Sequence, residues 1–202
     1  MAQTVRKNLG IKRIICSIRF RVYRFFARRS RPMIIMQKYD FQGKRIHDTR
    51  ISTSAFLDHP ETLYLSDHIY IGHYSIIEAS NTITIEEGCQ IGFHTVLASH
   101  SSHNSIRLYG KHYSEVKDKI GYVRGSIHIG KYTFVGPYSL TNPNTTIGKG
   151  SIIAAYSSVR GHFPDYSIIA GNPATVIGST KDKDLKFLEQ YPELKEFYYD
   201  ND

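Results

Sequence analysis

The chain has 202 residues, of which 41% are hydrophobic and 12% aromatic, and its formal net charge is +8 at pH 7. This apolar content excludes an intrinsically disordered chain, and the length predicts one domain with appendages. The basic excess is confined to one end, because residues 1–39 carry eleven lysines and arginines without any acidic residue, which leaves fifteen basic and eighteen acidic side chains in the remainder.

The first predicted element is a basic amphipathic helical arm over residues 1–40. Its apolar residues follow helical spacing, and lysines and arginines interrupt every apolar run. These interruptions exclude a transmembrane span, which needs about 20 mostly apolar residues, and a cleaved signal peptide, whose apolar stretch is continuous. The apolar positions are Ile11, Ile14, Ile15, Ile18, Val22, Phe25 and Phe26.

Two interpretations of this arm stay open. Arginines and an apolar stripe suit an anionic membrane surface, which residues 6–31 would contact. The alternative is that the helix packs on protein and shows its charges to solvent. Nucleic acid is not expected as a partner, because no recognition motif accompanies the charge.

The body of the chain carries an internal repeat of six residues, which is neither the helical period nor the alternation of a strand. The repeat fits short strands that alternate with corners, so that the chain coils and each turn stacks on the one before. The inward positions are Ile129, Val135, Thr141, Ile147, Ile153 and Val159, and the small corner residues are Thr133, Ser139, Thr145, Ser151 and Ser157. Upstream, the repeat at Ile71, Ile77 and Ile83 slips by two to Ile85, Ile91 and Leu97, which predicts one enlarged corner.

The units "IGHYSI", "IGFHTV", "IGKYTF" and "IGKGSI" resemble the repeat of the hexapeptide-repeat acyltransferases, and "VRGHFPDYSIIAGNPATVIG" resembles that family's closing segment. The resemblance spans roughly residues 51–180. It implies an all-β solenoid, a left-handed parallel β-helix over residues 41–180, with a short helical tail at 181–202. A β-sandwich is disfavoured, because the repeat blocks lack alternating strands joined by hairpin turns.

Residues 99–126 break the repeat and predict an extruded loop, which holds three of the ten histidines. Acyl transfer in the resembling family needs a base, and the family places it where a repeat gives way to an excursion, so "VLASHSS" points to His100. His103 is the second choice, followed by His112 or His94. Glu78 is a candidate partner for the imidazole, although an exposed corner position is the favoured interpretation of that residue.

The same resemblance implies acetyl-CoA as donor and no metal ion. The backbone N–H of Gly136 is the candidate hydrogen-bond donor to the developing oxyanion. In the family a Trp-Ile-Gly segment stands where this chain has Phe134-Val135-Gly136, so an indole donor is absent here. The other candidate donor-binding residues are Ala154, Ala155, Arg160, Lys181 and Lys183, and the candidate acceptor-binding residues of the loop are Arg107, His112 and Arg124.

The predicted function is transfer of an acetyl group to a sugar hydroxyl of a bacterial surface polysaccharide or its precursor, by a homotrimer in the cytoplasm. Exposed Phe93, Phe134 and Tyr138 would favour the trimer, and lipid binding by the arm would place the protein at the inner face of the plasma membrane. Cys16 and Cys89 are expected as free thiols. The alternatives are amino-sugar N-acetylation, a zinc carbonic anhydrase of the same fold, and a non-enzymatic membrane-docking scaffold.

Overall fold

The computed structural model describes residues 30–198 together with Arg19, Arg21, Val22, Arg24, Phe25 and Phe26. The chain divides into two compact units, Met1–Met33 and Ile34–Asp202. In the first unit the six separately described residues are helical, and the rings of Phe25 and Phe26 meet edge to face at 5.6 Å. The rest of the predicted arm, with Cys16, lies outside the described residues. Within the described part of the chain, we find no helix whose length and apolarity would let it cross a bilayer.

The second unit is built from eighteen short strands. They are β1 Ile34–Tyr39, β2 Arg45–Ser52, β3 Phe56–Asp58, β4 Leu63–Leu65, β5 Tyr70–Ile71, β6 Ile76–Glu78, β7 Ile83–Ile85, β8 Gln90–Ile91, β9 Val96–Ala98, β10 His100–Ser101, β11 Val123–Arg124, β12 Ile127–Ile129, β13 Phe134–Val135, β14 Leu140–Ile147, β15 Ile152–Ile153, β16 Ser158–Phe163, β17 Ser167–Gly171 and β18 Ala174–Ser179.

Helices are short and few among the described residues. The α-helices of the second unit are α1, Ser105–Tyr109, and α2, Thr180–Gln190. Three 3₁₀ turns cover Pro60–Thr62, Gly110–His112 and Pro192–Glu196. The predicted helical tail thus begins at residue 180.

The strands stack in parallel as three faces of a coil of about six turns, which confirms the predicted parallel β-helix. Face A contains β2, β5, β8, β13, β15 and β17. Face B contains β3, β6, β9 and the first residues of β14 and β16, and face C contains β4, β7, β12 and the last residues of β14 and β16. We call the edge between faces A and B the AB corner and the edge between faces B and C the BC corner.

The core is a set of aliphatic columns that run along the coil. On face A, for example, Ile51, Ile71, Ile91, Val135, Ile153 and Ile169 pair in register. Ile83 and Ile85 both lie buried on the single strand β7, so the expected enlarged corner is absent there. The two-residue slip in the repeat arises because strands of face C can carry two inward side chains. The prediction of an enlarged corner at this slip was wrong.

The corners are held by the small residues that the repeat predicted. Thr133, Ser139, Thr145, Ser151 and Ser157 are all at most 2% exposed. Their hydroxyls satisfy backbone groups of the coil, as when Ser139 Oγ donates to the Ala154 carbonyl at 2.9 Å. Buried polar groups need such partners to offset the loss of water.

Glycine serves these corners through close packing as well as through backbone conformation. A Cβ on Gly136 would stand 2.5 Å from the Ala155 nitrogen and 2.7 Å from the Ile153 oxygen, which no side chain tolerates. Two residues later the left-handed conformation falls on Tyr138, whose φ is 59°. Glycine at position 136 therefore lets the next coil approach, and the left-handed turn itself is made by Tyr138.

Antiparallel strands close both ends of the coil. Strand β1 pairs with β2, so residues 34–39, which the sequence analysis placed in the arm, join the sheet. At the other end β18 pairs with β17. Cys89 is a free, fully buried thiol inside the coil, and burial raises its pKa to about 12.

Candidate active site

The candidate site lies at the BC corner, where the chain leaves the third coil. Strand β9 ends at Ala98, and the excursion starts with β10 and returns through β11, which pairs antiparallel with it. His100 stands directly opposite Arg124 in this two-stranded base. The extruded loop is therefore anchored at the position that the sequence assigned to the base.

A carboxylate meets the His100 imidazole at this corner. Glu78 ends β6 in the second coil, and its Oε2 lies 2.7 Å from His100 Nδ1. Ser80 Oγ lies 3.2 Å from the same nitrogen. Because an ionised carboxylate can only accept, Nδ1 carries a proton, and in the neutral form of His100 the lone pair is therefore on Nε2. The His100 side chain is 35% exposed, so a substrate can reach it.

Hydrogen bonds keep Glu78 ionised although its side chain is only 13% exposed. Burial alone would raise its pKa. Hydrogen bonds from the Ser80 side chain and backbone and from the Ser99 hydroxyl, together with a coulombic interaction with His100 in its protonated form, lower the pKa of Glu78 below the ordinary 4.5. The favoured sequence interpretation of Glu78 as an exposed corner residue was wrong.

Tyr122 and Arg124 complete the described surroundings of the imidazole. The rings of Tyr122 and His100 stack at 5.5 Å with an interplanar angle of 13°. The Arg124 guanidinium lies 4.5 Å from the centre of the Tyr122 ring. Burial is the main cause of a raised pKa at Tyr122, with Tyr113 and Glu78 adding to it and Arg124 opposing it. The site therefore combines a base, an aromatic wall and a cation.

The other predicted loop residues lie further out. His103 Nδ1 is 2.8 Å from Ser101 Oγ on the exposed surface. His112 Nδ1 pairs with Glu115 at 2.8 Å, and both side chains are more than half exposed. Arg107 bonds within the loop, to the His103 carbonyl and to Asn104 Oδ1. None of these four contacts joins one of the three residues to the Glu78–His100 pair.

The structure places Gly136, Ala154 and Ala155 at the AB corner, across face B from His100. The Gly136 N–H donates to the Ile153 carbonyl at 2.8 Å, and the Ala154 N–H donates to the Ile169 carbonyl at 2.8 Å. The Gly136 N–H thus takes part in the hydrogen-bond ladder of the coil, and its role as a donor to the oxyanion stays a prediction. Ala155 is exposed.

The predicted cations fall in two further places. Arg160 is exposed in the fifth coil at the BC corner, two coils beyond the level at which His100 leaves it. Lys181 lies on α2, 4.1 Å from the centre of the Tyr166 ring, and Lys183 is exposed on the same helix. The structure does not bring these residues together with Ala154 in one chain.

His94 belongs to a ladder of stacked rings at the AB corner. Its ring lies 5.1 Å from Tyr74 and 5.0 Å from Tyr138, and Tyr138 continues the stack to Tyr156 at 5.1 Å. His94 and His100 thus lie at different corners. Among the described residues, the group that could hold a metal ion within one chain is Asp58, His59 and Glu78, not a set of three histidines.

Tyr122 was missed by the sequence analysis, and Glu78 was undervalued. A signal for Glu78 existed, because the upstream coils advance by twenty residues from Ile51 to Ile71 and Ile91. That period pairs Glu78 with Ala98, two residues before His100. No comparable period reaches Tyr122, since the loop between β9 and β12 has no repeat.

Comparison with protein families matches residues 126–161 to the bacterial transferase hexapeptide (six repeats). Among curated proteins, the chain is 26% identical to galactoside O-acetyltransferase of Escherichia coli K12 over 68% of this chain and 64% of that protein. It is 27% identical to the putative lipopolysaccharide biosynthesis O-acetyl transferase WbbJ of the same strain, over 57% of this chain and 59% of that one. The chain thus spans less than two thirds of either relative.

Among solved structures, the hexapeptide-repeat acetyltransferase VCA0836 of Vibrio cholerae superposes with a TM-score of 0.58. The two chains are 22% identical, and the match covers 68% of this chain and 73% of that one. A likeness at this identity supports the fold. The V. cholerae protein has also been solved in complex with acetyl coenzyme A.

Proposed function

Because residues 126–161 match the bacterial transferase hexapeptide repeats, we propose that this chain is an acyltransferase that moves an acetyl group from acetyl-CoA to a hydroxyl of a sugar or glycan. The observation that carries this proposal is the contact between Glu78 Oε2 and His100 Nδ1 at 2.7 Å. In the neutral imidazole this contact places the lone pair on Nε2, at the root of a large surface loop, which is the tautomer that a general base for acyl transfer needs.

In the proposed reaction, His100 Nε2 takes the proton of the acceptor hydroxyl while the hydroxyl oxygen attacks the thioester carbonyl carbon. Glu78 stabilises the imidazolium that forms, as a buried carboxylate does for a catalytic histidine. The carbon–sulfur bond then breaks, and the imidazolium returns the proton to the leaving sulfur. The products are an acetyl ester and a free thiol, and the base is neutral again.

The choice of donor follows from likeness to relatives and from the surface of the coil. A V. cholerae protein of this fold has been solved with acetyl coenzyme A. In this chain, the small side chains of Ala154 and Ala155 leave room for an extended ligand at the AB corner. Arg160, Lys181 and Lys183 stay candidates for its phosphates.

We further propose that two copies build each site, because His100 and Ala155 lie at different corners of one chain. Face B, which separates them, shows the apolar side chains of Phe56 and Ile76, 59% and 43% exposed. These residues pair in register with one another. Phe93 and Tyr138 at the AB corner and Phe134 on the adjoining face A are between 43% and 46% exposed, as the sequence predicted. Burial of these surfaces in a homotrimer would bring His100 of one copy close to Ala154 and Ala155 of the next, where the acetyl donor is proposed to bind.

The N-terminal arm supplies a second proposed contact, with the anionic inner face of the plasma membrane. Its described residues include Arg19, Arg21 and Arg24, and Phe25 and Phe26 are at least half exposed. Arginines next to exposed aromatic rings suit an anionic lipid surface. Such a contact would hold the enzyme close to a lipid-linked glycan acceptor.

The hydroxyl acceptor is supported by the names of the two E. coli relatives, both O-acetyltransferases. The test is release of free thiol from acetyl-CoA in the presence of neutral sugars, nucleotide sugars, amino sugars and polysaccharide fragments. Mass spectrometry of the product distinguishes an ester, which hydroxylamine cleaves, from an amide, which survives. Thiol release that depends on a hydroxyl acceptor is expected. Absence of both turnover and coenzyme A binding would exclude the proposal.

A further inference from the structure

Three metal-ligating side chains from the first and second coils meet at the BC corner, next to the level at which His100 leaves the third coil. Asp58 ends β3, His59 follows it, and Glu78 lies opposite Asp58 in the register of β3 and β6. His59 Nδ1 is 3.2 Å from Asp58 Oδ1 and 3.9 Å from Glu78 Oε1. One donor atom from each side chain lies within 4.8 Å of the others.

These distances and donor types suit a transition-metal ion of the zinc class. Zinc binds imidazole nitrogen and carboxylate oxygen at about 2.0–2.2 Å in tetrahedral geometry, which places neighbouring donors about 3.4 Å apart. An imidazole among the ligands also favours zinc over calcium or magnesium, which prefer oxygen donors alone. The His59 and Asp58 side chains are 47% and 43% exposed, so an ion can enter from solvent with water as the fourth ligand.

We propose that Asp58, His59 and Glu78 form a zinc-binding site that inhibits the enzyme. The link to the reaction is Glu78, whose Oε1 faces His59 while its Oε2 holds His100 Nδ1. An ion on Oε1 withdraws negative charge from the carboxylate that must stabilise the His100 imidazolium. The zinc ion takes no part in the reaction itself. It lowers the rate because Glu78 then stabilises the His100 imidazolium less strongly.

The binding test uses zinc alone and needs no turnover. Isothermal titration with zinc chloride is expected to show one ion per chain in the native protein. His59→Asn keeps a residue that tolerates the left-handed backbone at position 59, where φ is 55°, and removes the imidazole. We expect it to weaken binding by at least about tenfold, because even loss of an outer-shell partner costs 10- to 100-fold.

A matched control is available at His68, which has a φ of 60° and lies 3.6 Å from the carboxylate of Asp48. His68→Asn removes an exposed histidine with one carboxylate partner and should leave zinc binding unchanged. Asp58→Asn should weaken it as His59→Asn does. Equal zinc affinity in native protein and His59→Asn, or absence of binding to native protein, would overturn the site.

The inhibition rests on the proposed function and is measured separately, as thiol release with and without zinc. We expect zinc to slow the native enzyme and the His68→Asn variant, with recovery on adding a chelator, and to leave His59→Asn unaffected. Equal inhibition of native enzyme and His59→Asn would contradict the coupling to Glu78. Zinc binding at this site without any acyl transfer would refute the proposed function but leave the proposed zinc site standing.

Discussion

Glu78 and His100 belong to consecutive coils, and their side chains meet at 2.7 Å, with Glu78 paired in register with Ala98, two residues before the histidine. The contact depends on the chain leaving the coil at this point, because the excursion begins with β10 directly after Ser99. Ser99 also donates to Glu78 through its hydroxyl, at 3.0 Å. One corner therefore fixes both the carboxylate and the imidazole.

Replacement Glu78→Gln tests whether the carboxylate acts through His100. The amide keeps the shape and loses the charge, so the imidazolium is no longer stabilised and the Nδ1 proton is less strongly oriented. We expect kcat to fall about 10- to 100-fold with little change in KM for the donor. Steady-state kinetics of thiol release measure both constants. An unchanged kcat would mean that Glu78 only fills the corner.

The stability of the fold should depend on the ionisation of Glu78. The pKa of this carboxyl is lowered in the folded protein relative to an ordinary value of 4.5, so ionisation stabilises the native state at pH values above 4.5. That contribution is lost as the pH falls below 4.5 through the pKa of the folded state. Urea unfolding of native protein and Glu78→Gln should give a difference at pH 7 that shrinks at pH values below 4.5. A difference that grows in acid would contradict this sign.

Replacement Gly136→Ala should destabilise the coil. The added Cβ would stand 2.5 Å from the Ala155 nitrogen, so neighbouring coils must separate, and overpacking of this kind costs about 1–3 kcal/mol. Gly178→Ala is the control, because the nearest atom to its added Cβ is 3.5 Å away. Thermal unfolding measures both. Full stability of Gly136→Ala would contradict the close packing of the two coils at this position.

The six-residue repeat predicted the fold because each inward side chain and each corner residue depends mainly on its near neighbours in the chain. Val135, Ile153 and Ser139 are buried as expected for that reason. The hydrogen bond of the Gly136 N–H was not predicted, because its partner, the Ile153 carbonyl, lies one coil away. Sequence position alone does not show which backbone N–H and carbonyl groups form hydrogen bonds with the next coil.

The candidate site was predictable only in part, for a related reason. His100 was found because the repeat ends there, a local signal. Tyr122 reaches His100 through the fold of a loop without periodicity, and the wide separation of the AB and BC corners follows from the three-faced cross-section. Local sequence patterns do not encode either feature.

Thr141 offers a route to a more stable protein. It continues the inward column of face B between Leu97 and Val159, and its hydroxyl is buried without a hydrogen-bond partner among the described residues. An unsatisfied buried hydroxyl costs about 1–3 kcal/mol, so Thr141→Val should raise the free energy of unfolding by about 1 kcal/mol.

Thr133→Val is the matched control for that substitution. The Thr133 hydroxyl donates to the Gly148 carbonyl at 3.2 Å, so its removal should lower stability where the Thr141 change raises it. Urea unfolding compares the two variants with native protein. Destabilisation by both substitutions would show that the Thr141 hydroxyl has a partner in solution.

The central claim is that His100 is the base of an acyl transfer, and thiol release from acetyl-CoA by native protein, His100→Ala and His103→Ala tests it most directly. His103 is the appropriate control because it lies on the same loop and has a hydroxyl rather than a carboxylate as its partner. We expect turnover to fall about 10²- to 10⁴-fold in His100→Ala and to persist in His103→Ala. Persistent turnover in His100→Ala, or its loss in His103→Ala alone, would contradict the assignment.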